Sequence, residues 1–236
     1  MALKEVGAEV TVLPPPSSDC PDAVFSANAG LIFNGKFIPS RFRFDERGPE
    51  EAYFVKEFQA RGYSIHFADG NAQNKRENWS FEGAGDALFS ADRKVLWLGH
   101  GFRTSENSSV AIEALLTGVE VKTLSLIMPQ FYHLDTCFCP LDDGKLLWFP
   151  AAFTAGSQAL IRSYYGDRGI EVSAEDASRF ACNAVSVGNA LVMPKVSDSL
   201  VTLLASKGLK VVQVDMSQFL RSGGATKCLT IEDINY

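Results

Sequence analysis

Three short stretches of this chain hold residue types that do chemistry, each in a glycine-rich or apolar setting. Cys228 closes the run Ser222-Gly-Gly-Ala-Thr-Lys-Cys. A Gly-Gly pair lets a backbone approach a ligand closely, and Lys227 stands next to the thiol to lower its pKa; a small core residue at a strand start is an equal alternative. His133 lies in Phe131-Tyr-His-Leu-Asp-Thr-Cys-Phe, where strand alternation sets His133 and Asp135 on one face and Leu134 on the other. Such a pair suits a general acid/base beside a cation-binding carboxylate, or a buried histidine satisfied by its neighbour. Glu82-Gly-Ala-Gly-Asp86 sets two acids around glycines just before apolar Ala87-Leu-Phe, reading either as turn formers or as inward carboxylates. No Lys-Ser/Thr follows and no dinucleotide fingerprint is present, so the stretch is not a phosphate loop. Arg47 and Arg103 are candidate forks for a substrate carboxylate, or ordinary surface arginines. His133, Asp135, Cys137 and Cys139 share strand parity, but residues 133 and 139 would lie roughly 20 Å apart along a strand, so no metal site is expected.

What must position these groups is a unit that recurs five times: a helix-like stretch, a glycine, then a short β-branched strand. The glycines are Gly7, Gly62, Gly118, Gly169 and Gly208, spaced 55, 56, 51 and 39 residues apart. A left-handed residue ending a helix is most easily a glycine. Each unit is followed by one of the unusual segments, at 21–28, 81–86, 133–135, 180–183 and 223–228. A period of about 50 residues marks repeated supersecondary units, and units closing around an axis bring equivalent positions to its centre. Glu82, His133 and Cys228 then share one slot in three repeats. Helices are expected over 50–60, 108–116, 158–164 and 198–206, a strand over 94–99, and hairpins turning at Asp143-Gly144 and Gly188-Asn189. The fold class is α/β, as a cyclic repeat in a single domain over 1–236.

Composition narrows the function. The chain has 236 residues, 46% hydrophobic, with a mean hydropathy near zero, which fits one globular domain. Its net charge of −6 and lack of a basic block make nucleic acid an unexpected partner. No apolar run reaches the ~18 residues of a membrane span, and no secretory signal opens the sequence. Five cysteines in mostly apolar contexts argue against a disulfide framework and for a reducing cytoplasm. The runs Pro14-to-Asp19 and Gly70-to-Asn78 read as surface loops. Asn78-Trp-Ser and Asn107-Ser-Ser match glycosylation acceptors but lack the secretory context.

Taken together, Pro21-Asp-Ala-Val-Phe-Ser-Ala-Asn-Ala-Gly, Phe81-Glu-Gly-Ala-Gly-Asp-Ala-Leu, Phe131-Tyr-His-Leu-Asp-Thr-Cys-Phe-Cys-Pro-Leu, Phe180-Ala-Cys-Asn and Gly223-Gly-Ala-Thr-Lys-Cys-Leu-Thr resemble the guanidine-modifying, or pentein, superfamily. Within it they are most similar to the arginine dihydrolase branch. The resemblance covers nearly the whole chain and implies a five-module pseudo-symmetric α/β propeller, here with the first module truncated at its N-terminus. It implies Cys228 as nucleophile, His133 as general acid/base, and Glu82 and Asp135 holding a guanidinium. Asp22, Asn28 and Asp86 would line the pocket, and Arg47 and Arg103 would bind the amino-acid carboxylate. No cofactor is implied. The substrate would be arginine or a close analogue, and the oligomeric state stays open. The implied reaction is hydrolysis of the guanidino group through a covalent amidino-cysteine, to ornithine, carbon dioxide and two ammonias. Deiminase, dimethylarginine hydrolase, amidinotransferase and a non-catalytic binding protein of this fold are the alternatives. In deiminases an aspartate stands where this chain has Asn28, and an asparagine is the better host for a ureido oxygen.

Overall fold

The structure, a computed structural model, describes residues 2–16, 20–68 and 79–233. The expected loop at 70–78, residues 17–19 of the proline-rich run and Asn78 of one glycosylation motif lie outside these residues.

After a short helix, α1 (Ala2–Glu5), the chain builds the same module four times: two antiparallel strands, then a helix, then a third strand parallel to the second. The first is β1 (Gly30–Phe33), β2 (Lys36–Pro39), α2 (Gly48–Ala60) and β3 (Ser64–Ile65). The second is β4 (Ala87–Phe89), β5 (Val95–His100), α3 (Ser108–Leu115) and β6 (Glu120–Ser125). Then come β7 (Phe138–Pro140), β8 (Leu146–Trp148), α4 (Ala155–Tyr165) and β9 (Gly169–Glu171). After α5 (Ala174–Ser178) the last is β10 (Val185–Val187), β11 (Ala190–Pro194), α6 (Asp198–Ser206) and β12 (Lys210–Val214), followed by α7 (Ser217–Leu220). Registers such as Leu88↔Trp97 and Leu96↔Val121 show the antiparallel and parallel halves of one sheet. A parallel partner needs a crossover, and the helix supplies it while covering the sheet.

The expected helices and hairpins are present; α6 keeps its expected ends, and the ends of the other helices are shifted. The glycine rule fails once. Gly169 has ordinary extended backbone as the first residue of β9, and the positive φ at the end of α4 belongs to Gly166 (52°). Thr154, Ser173 and Ser197 cap α4, α5 and α6 by accepting backbone N–H groups, whereas Asn107 makes no side-chain cap at α3. Residues 8–13 of the first repeat form no strand, so among the described residues four modules are three-stranded and the first repeat is incomplete. No helix among the described residues is long and apolar enough to cross a membrane.

Helix faces and sheets bury their apolar side chains in three clusters among the described residues. Trp97, fully buried, stacks on Tyr165 at 5.7 Å and packs on Phe138 at 5.5 Å. Phe58 of α2 stacks on Phe37 of β2 at 4.1 Å. Aromatic pairs of this kind add to the burial of their large surfaces.

The ring is closed by hydrogen bonds between five turns, four of which precede the hairpins while the fifth, Lys227–Leu229, follows α7. Asn28 Nδ2 donates to the Glu82 carbonyl (3.3 Å), and Leu134 N–H donates to Asp86 Oδ1 (2.9 Å). Asn183 Nδ2 donates to the Asp135 carbonyl (3.1 Å), and Cys228 N–H donates to Asn183 Oδ1 (3.2 Å). Ser26 Oγ donates to the Leu229 carbonyl (2.9 Å), which returns the circuit to its start. Five turns thus meet around one axis.

At this meeting point there is no room for a Cβ at Gly83. Its φ is +60°, and an added methyl would sit 2.7 Å from the Gly30 backbone. Gly83→Ala should therefore cost at least about 2 kcal/mol, from backbone strain and the clash together. For a domain of this size that is a drop of roughly 4–8 °C in Tm, measurable by thermal unfolding; an unchanged Tm would show that the turns are loosely packed.

Candidate active site

The ring gathers the chemical residues picked out in the sequence, though the local structure differs from the expected strand. His133 is an extended residue capping a one-turn 3₁₀ helix, Leu134–Thr136, and Glu82 caps its counterpart, Gly83–Gly85. His133 and Asp135 therefore sit on a turn, not on one face of a strand. Short polar-flanked turns ahead of each hairpin win because they bring backbone and side chains to the axis, where a strand would run past it. The slot assignment also needs correcting. Glu82 and His133 share the cap position, but Cys228 is the middle residue of Lys227–Leu229 and so matches Asp135, with Thr226 in the cap position.

Glu82, fully buried, is the electrostatic centre. Its Oε2 accepts from His133 Nε2 at 2.7 Å and lies 3.5 Å from Arg103, while Oε1 accepts the Arg43 backbone N–H. Because a carboxylate only accepts, Nε2 carries a proton. Burial alone would raise the Glu82 carboxyl; the hydrogen bond and charge of His133 with Arg103 outweigh it and hold the group at about 2. In the same way burial opposes the His133 imidazolium, but Asp86 and Glu82 raise its pKa above the ordinary value.

Asp86 is pushed up to about 6 by burial. Both of its oxygens are committed: Oδ2 accepts from Thr104 Oγ1 at 2.7 Å and Oδ1 from Leu134 N–H. Asp86 therefore ties the 101–105 loop and the His133 turn together instead of lining an open pocket.

Cys228 is buried. Its Sγ lies 3.3 Å from Asp135 Oδ2 and 3.1 Å from Asn183 Nδ2. Burial, together with the Asp135 charge, pushes the thiol well above its ordinary value, and burial also raises Asp135. Lys227 does not activate the thiol. Its Nζ pairs with Glu232 at 2.6 Å, and Glu232 also approaches Arg93. Lys227, Glu232 and Arg93 line a cavity of about 40 Å³ along the hairpins, together with Asp142, so the cation is spent on the carboxylates there. The second oxygen of Asp135, Oδ1, is buried with no partner among the described residues. A buried carboxylate oxygen of that kind is a strong acceptor for a guanidinium N–H.

The two arginines separate. Arg47 is buried and engaged on every side: Nε and Nη2 fork onto Glu50 at 2.9 and 2.7 Å, Nη1 donates to Asn28 Oδ1 at 2.9 Å, and Nη2 reaches the Asp22 carbonyl. In this structure it fixes Asn28 and does not face an incoming carboxylate. Asp22 contributes this carbonyl while the residue itself is exposed. Arg103 is partly exposed, held between the rings of Phe44 and Tyr132 at 4.9 and 4.6 Å and beside Glu82. Sequence reasoning passed over Asn183, Thr104 and Tyr132, whose hydroxyl donates to the Gly223 carbonyl at 2.8 Å. Tyr132 stood in the quoted segment Phe131-Tyr-His-Leu-Asp-Thr-Cys-Phe and Asn183 in Phe180-Ala-Cys-Asn; for Asn183 its repeat position next to the hairpin was the signal.

The closed α/β ring thus sets an imidazole–carboxylate pair near a buried thiol that lies beside a second carboxylate. The profile of the family N,N dimethylarginine dimethylhydrolase, eukaryotic, matches residues 1–235. The chain is 42% identical over 217 residues to the bifunctional arginine dihydrolase/ornithine cyclodeaminase AgrE of Nostoc sp., covering 92% of this chain and 30% of that one. It is 36% identical over 217 residues to N(G),N(G)-dimethylarginine dimethylaminohydrolase of Mycobacterium tuberculosis, covering 92% and 68%. The N-terminal domain of ArgZ, an arginine dihydrolase from the ornithine-ammonia cycle in cyanobacteria, has been solved as a cysteine-to-serine mutant bound to substrate. It matches this chain with a TM-score of 0.86 at 42% identity, covering 92% of this chain and 77% of that one. The chain belongs to the dimethylarginine dimethylaminohydrolase family of the guanidine-modifying, or pentein, superfamily. It spans about 30% of the length of the bifunctional relatives it matches.

The Glu82–His133 pair makes a pH prediction. The depressed Glu82 contributes stability that is present above its unfolded value of 4.5 and lost as pH falls toward about 2. The raised His133 contributes stability that is present below 6.5 and lost as pH rises through its folded value. Glu82→Gln should therefore lower Tm most between about pH 4.5 and 6.5, with the gap to wild type closing at more acid pH. It should also lower the imidazole pKa in an NMR titration. An unchanged imidazole titration would mean that the pair is not coupled.

Proposed function

We propose that the protein hydrolyses the guanidino group of arginine through a covalent intermediate on Cys228, and that it carries the reaction past citrulline to ornithine, carbon dioxide and two ammonias. The observation that carries this reading is the thiol's setting: a sulfur 3.3 Å from Asp135 Oδ2, with Asp135 Oδ1 left unpartnered. A guanidinium bound there would satisfy the carboxylates of Asp135 and Glu82 and place a positive charge against the sulfur. The cation would then lower the thiol pKa, so the nucleophile forms only when substrate is present.

The thiolate attacks the central guanidino carbon and His133 protonates the departing ammonia, leaving an amidino-cysteine. His133 then deprotonates water, whose oxygen takes the place of sulfur and releases citrulline at the centre. In a second round the sulfur attacks the ureido carbon and the second ammonia leaves. Hydrolysis of this adduct gives a carbamate that loses carbon dioxide, so one arginine and two waters become ornithine, carbon dioxide and two ammonias.

Asn28 supports the second round. Arg47 only donates, so the Asn28 oxygen must face Arg47 Nη1, which turns Nδ2 toward the Glu82 carbonyl and leaves its second N–H for a ligand. An N–H there donates to a ureido oxygen, whereas an aspartate would present a negative oxygen that repels it. The family match and the M. tuberculosis relative favour a second reading, hydrolysis of dimethylarginine to citrulline and dimethylamine.

Purified protein incubated with arginine or with dimethylarginine, and assayed for ornithine, citrulline, ammonia and dimethylamine, tests both readings. Two ammonias per ornithine from arginine are expected, none with Cys228→Ser, and a shift toward citrulline with Asn28→Asp. Citrulline as the sole product of the wild type would overturn the dihydrolase assignment, and turnover of dimethylarginine alone would establish the second reading.

A further inference from the structure

Asn183 touches the reacting sulfur, yet it came from the one repeat segment to which the site assigned no chemistry. It is fully buried. Its Nδ2 reaches both Cys228 Sγ at 3.1 Å and the Asp135 carbonyl at 3.1 Å, and its Oδ1 accepts the Cys228 backbone N–H at 3.2 Å. Its own backbone joins in, with the Asn183 carbonyl accepting from Lys227 N–H at 3.3 Å. The amide orientation is settled by chemistry. Oδ1 faces a backbone N–H, which only donates, and Nδ2 faces a carbonyl, which only accepts, so the sulfur must meet an N–H.

We propose that Asn183 is a further member of the catalytic machinery: it clamps the Cys228 turn in register with the His133 turn, and its Nδ2–H supports the developing negative charge on sulfur. This rests on Cys228 being the nucleophile. The neighbours of the sulfur make the contribution specific. From the His133 turn comes Asp135, which favours the protonated thiol; the Tyr132 phenol, itself raised to about 12 chiefly by burial, also faces the site. On the cysteine's own turn, Lys227 is paired to Glu232 and the Ala225 backbone supplies a second N–H to the sulfur. Asn183 is the side chain among these that offers the sulfur a donor, and it does so opposite the carboxylate that holds the proton.

The test reads the thiol without substrate. The pH dependence of Cys228 alkylation by iodoacetamide is compared for the wild type, Asn183→Ala and Asn183→Ser, with thermal unfolding as the check of fold and steady-state kinetics on arginine. A hydrogen bond to a charged group carries a factor of about ten or more. The folded Ala variant should thus show a thiol pKa raised by about one unit and alkylation at pH 8 slowed about tenfold. Its kcat should fall by a similar factor while KM changes less than about threefold, and the Ser variant should fall between the two. A wild-type alkylation profile in either folded variant would overturn the proposal, even if kcat fell. If both variants lose cooperative unfolding, a crystal structure of the wild type decides: Nδ2 within about 3.6 Å of Sγ supports the role, and a gap beyond about 4.5 Å overturns it. The alkylation reading stands whether or not arginine proves to be the substrate.

Discussion

A thiol packed against a carboxylate in a dry site is the constraint from which the rest of this structure follows. Asp135 Oδ2 lies 3.3 Å from Cys228 Sγ, and both residues are buried. Placing two anions there without water to screen them is unfavourable, so the resting sulfur keeps its proton. A neutral thiol is a poor nucleophile. On the proposed function the site would stay quiet until a cation arrives, and a planar guanidinium would match carboxylates on two sides with its N–H groups.

Holding these charges together requires a scaffold that does not relax, and the closed ring supplies it. Each turn gives a donor or acceptor to the next, from Asn28 through Asp86, Asp135 and Asn183 to Cys228 and back through Ser26. Buried polar groups that are mutually satisfied are rigid and specific. The same bonds that close the ring orient the groups proposed to react: Asp86 holds the backbone of Leu134 next to His133, and Asn183 holds the backbone of Cys228. Fold closure and the geometry of the proposed site are one network.

Much of this was legible in the sequence because repetition leaves a mark. The helix–glycine–strand period announced the modules, and the odd segments after each unit announced what lies at the axis. The Gly223-Gly224 pair was readable as a place of close approach; a Cβ on Gly224 would fall 2.4 Å from the Phe25 ring. Two kinds of information were hidden. Strand parity suggested that His133 and Asp135 share a face, but a one-turn 3₁₀ helix leaves no periodic signature in three residues. Charge partners were also hidden, since proximity in sequence does not say which way two neighbouring side chains point: the acids that pair with Arg47 and Lys227 lie only three and five residues further on. Arg47 looked like a substrate clamp until Glu50 filled its fork, and Lys227 looked like a thiol activator until Glu232 took its charge. Asn183 had no chemical signal of its own, and only its position in the repeat marked it.

The central claim, that positive charge at the centre generates the nucleophile, is tested most directly with two small alkylating agents of the same shape. Chloroacetamidine carries an amidinium cation and chloroacetamide is neutral. Inactivation rates at pH 7 are compared, with the site of modification located by mass spectrometry. The account predicts that the cationic reagent modifies Cys228 at least about a hundredfold faster, because it brings the charge that lowers the thiol pKa by two units or more. Equal rates at Cys228 for the two reagents would contradict it, since a thiolate already formed at rest needs no cation.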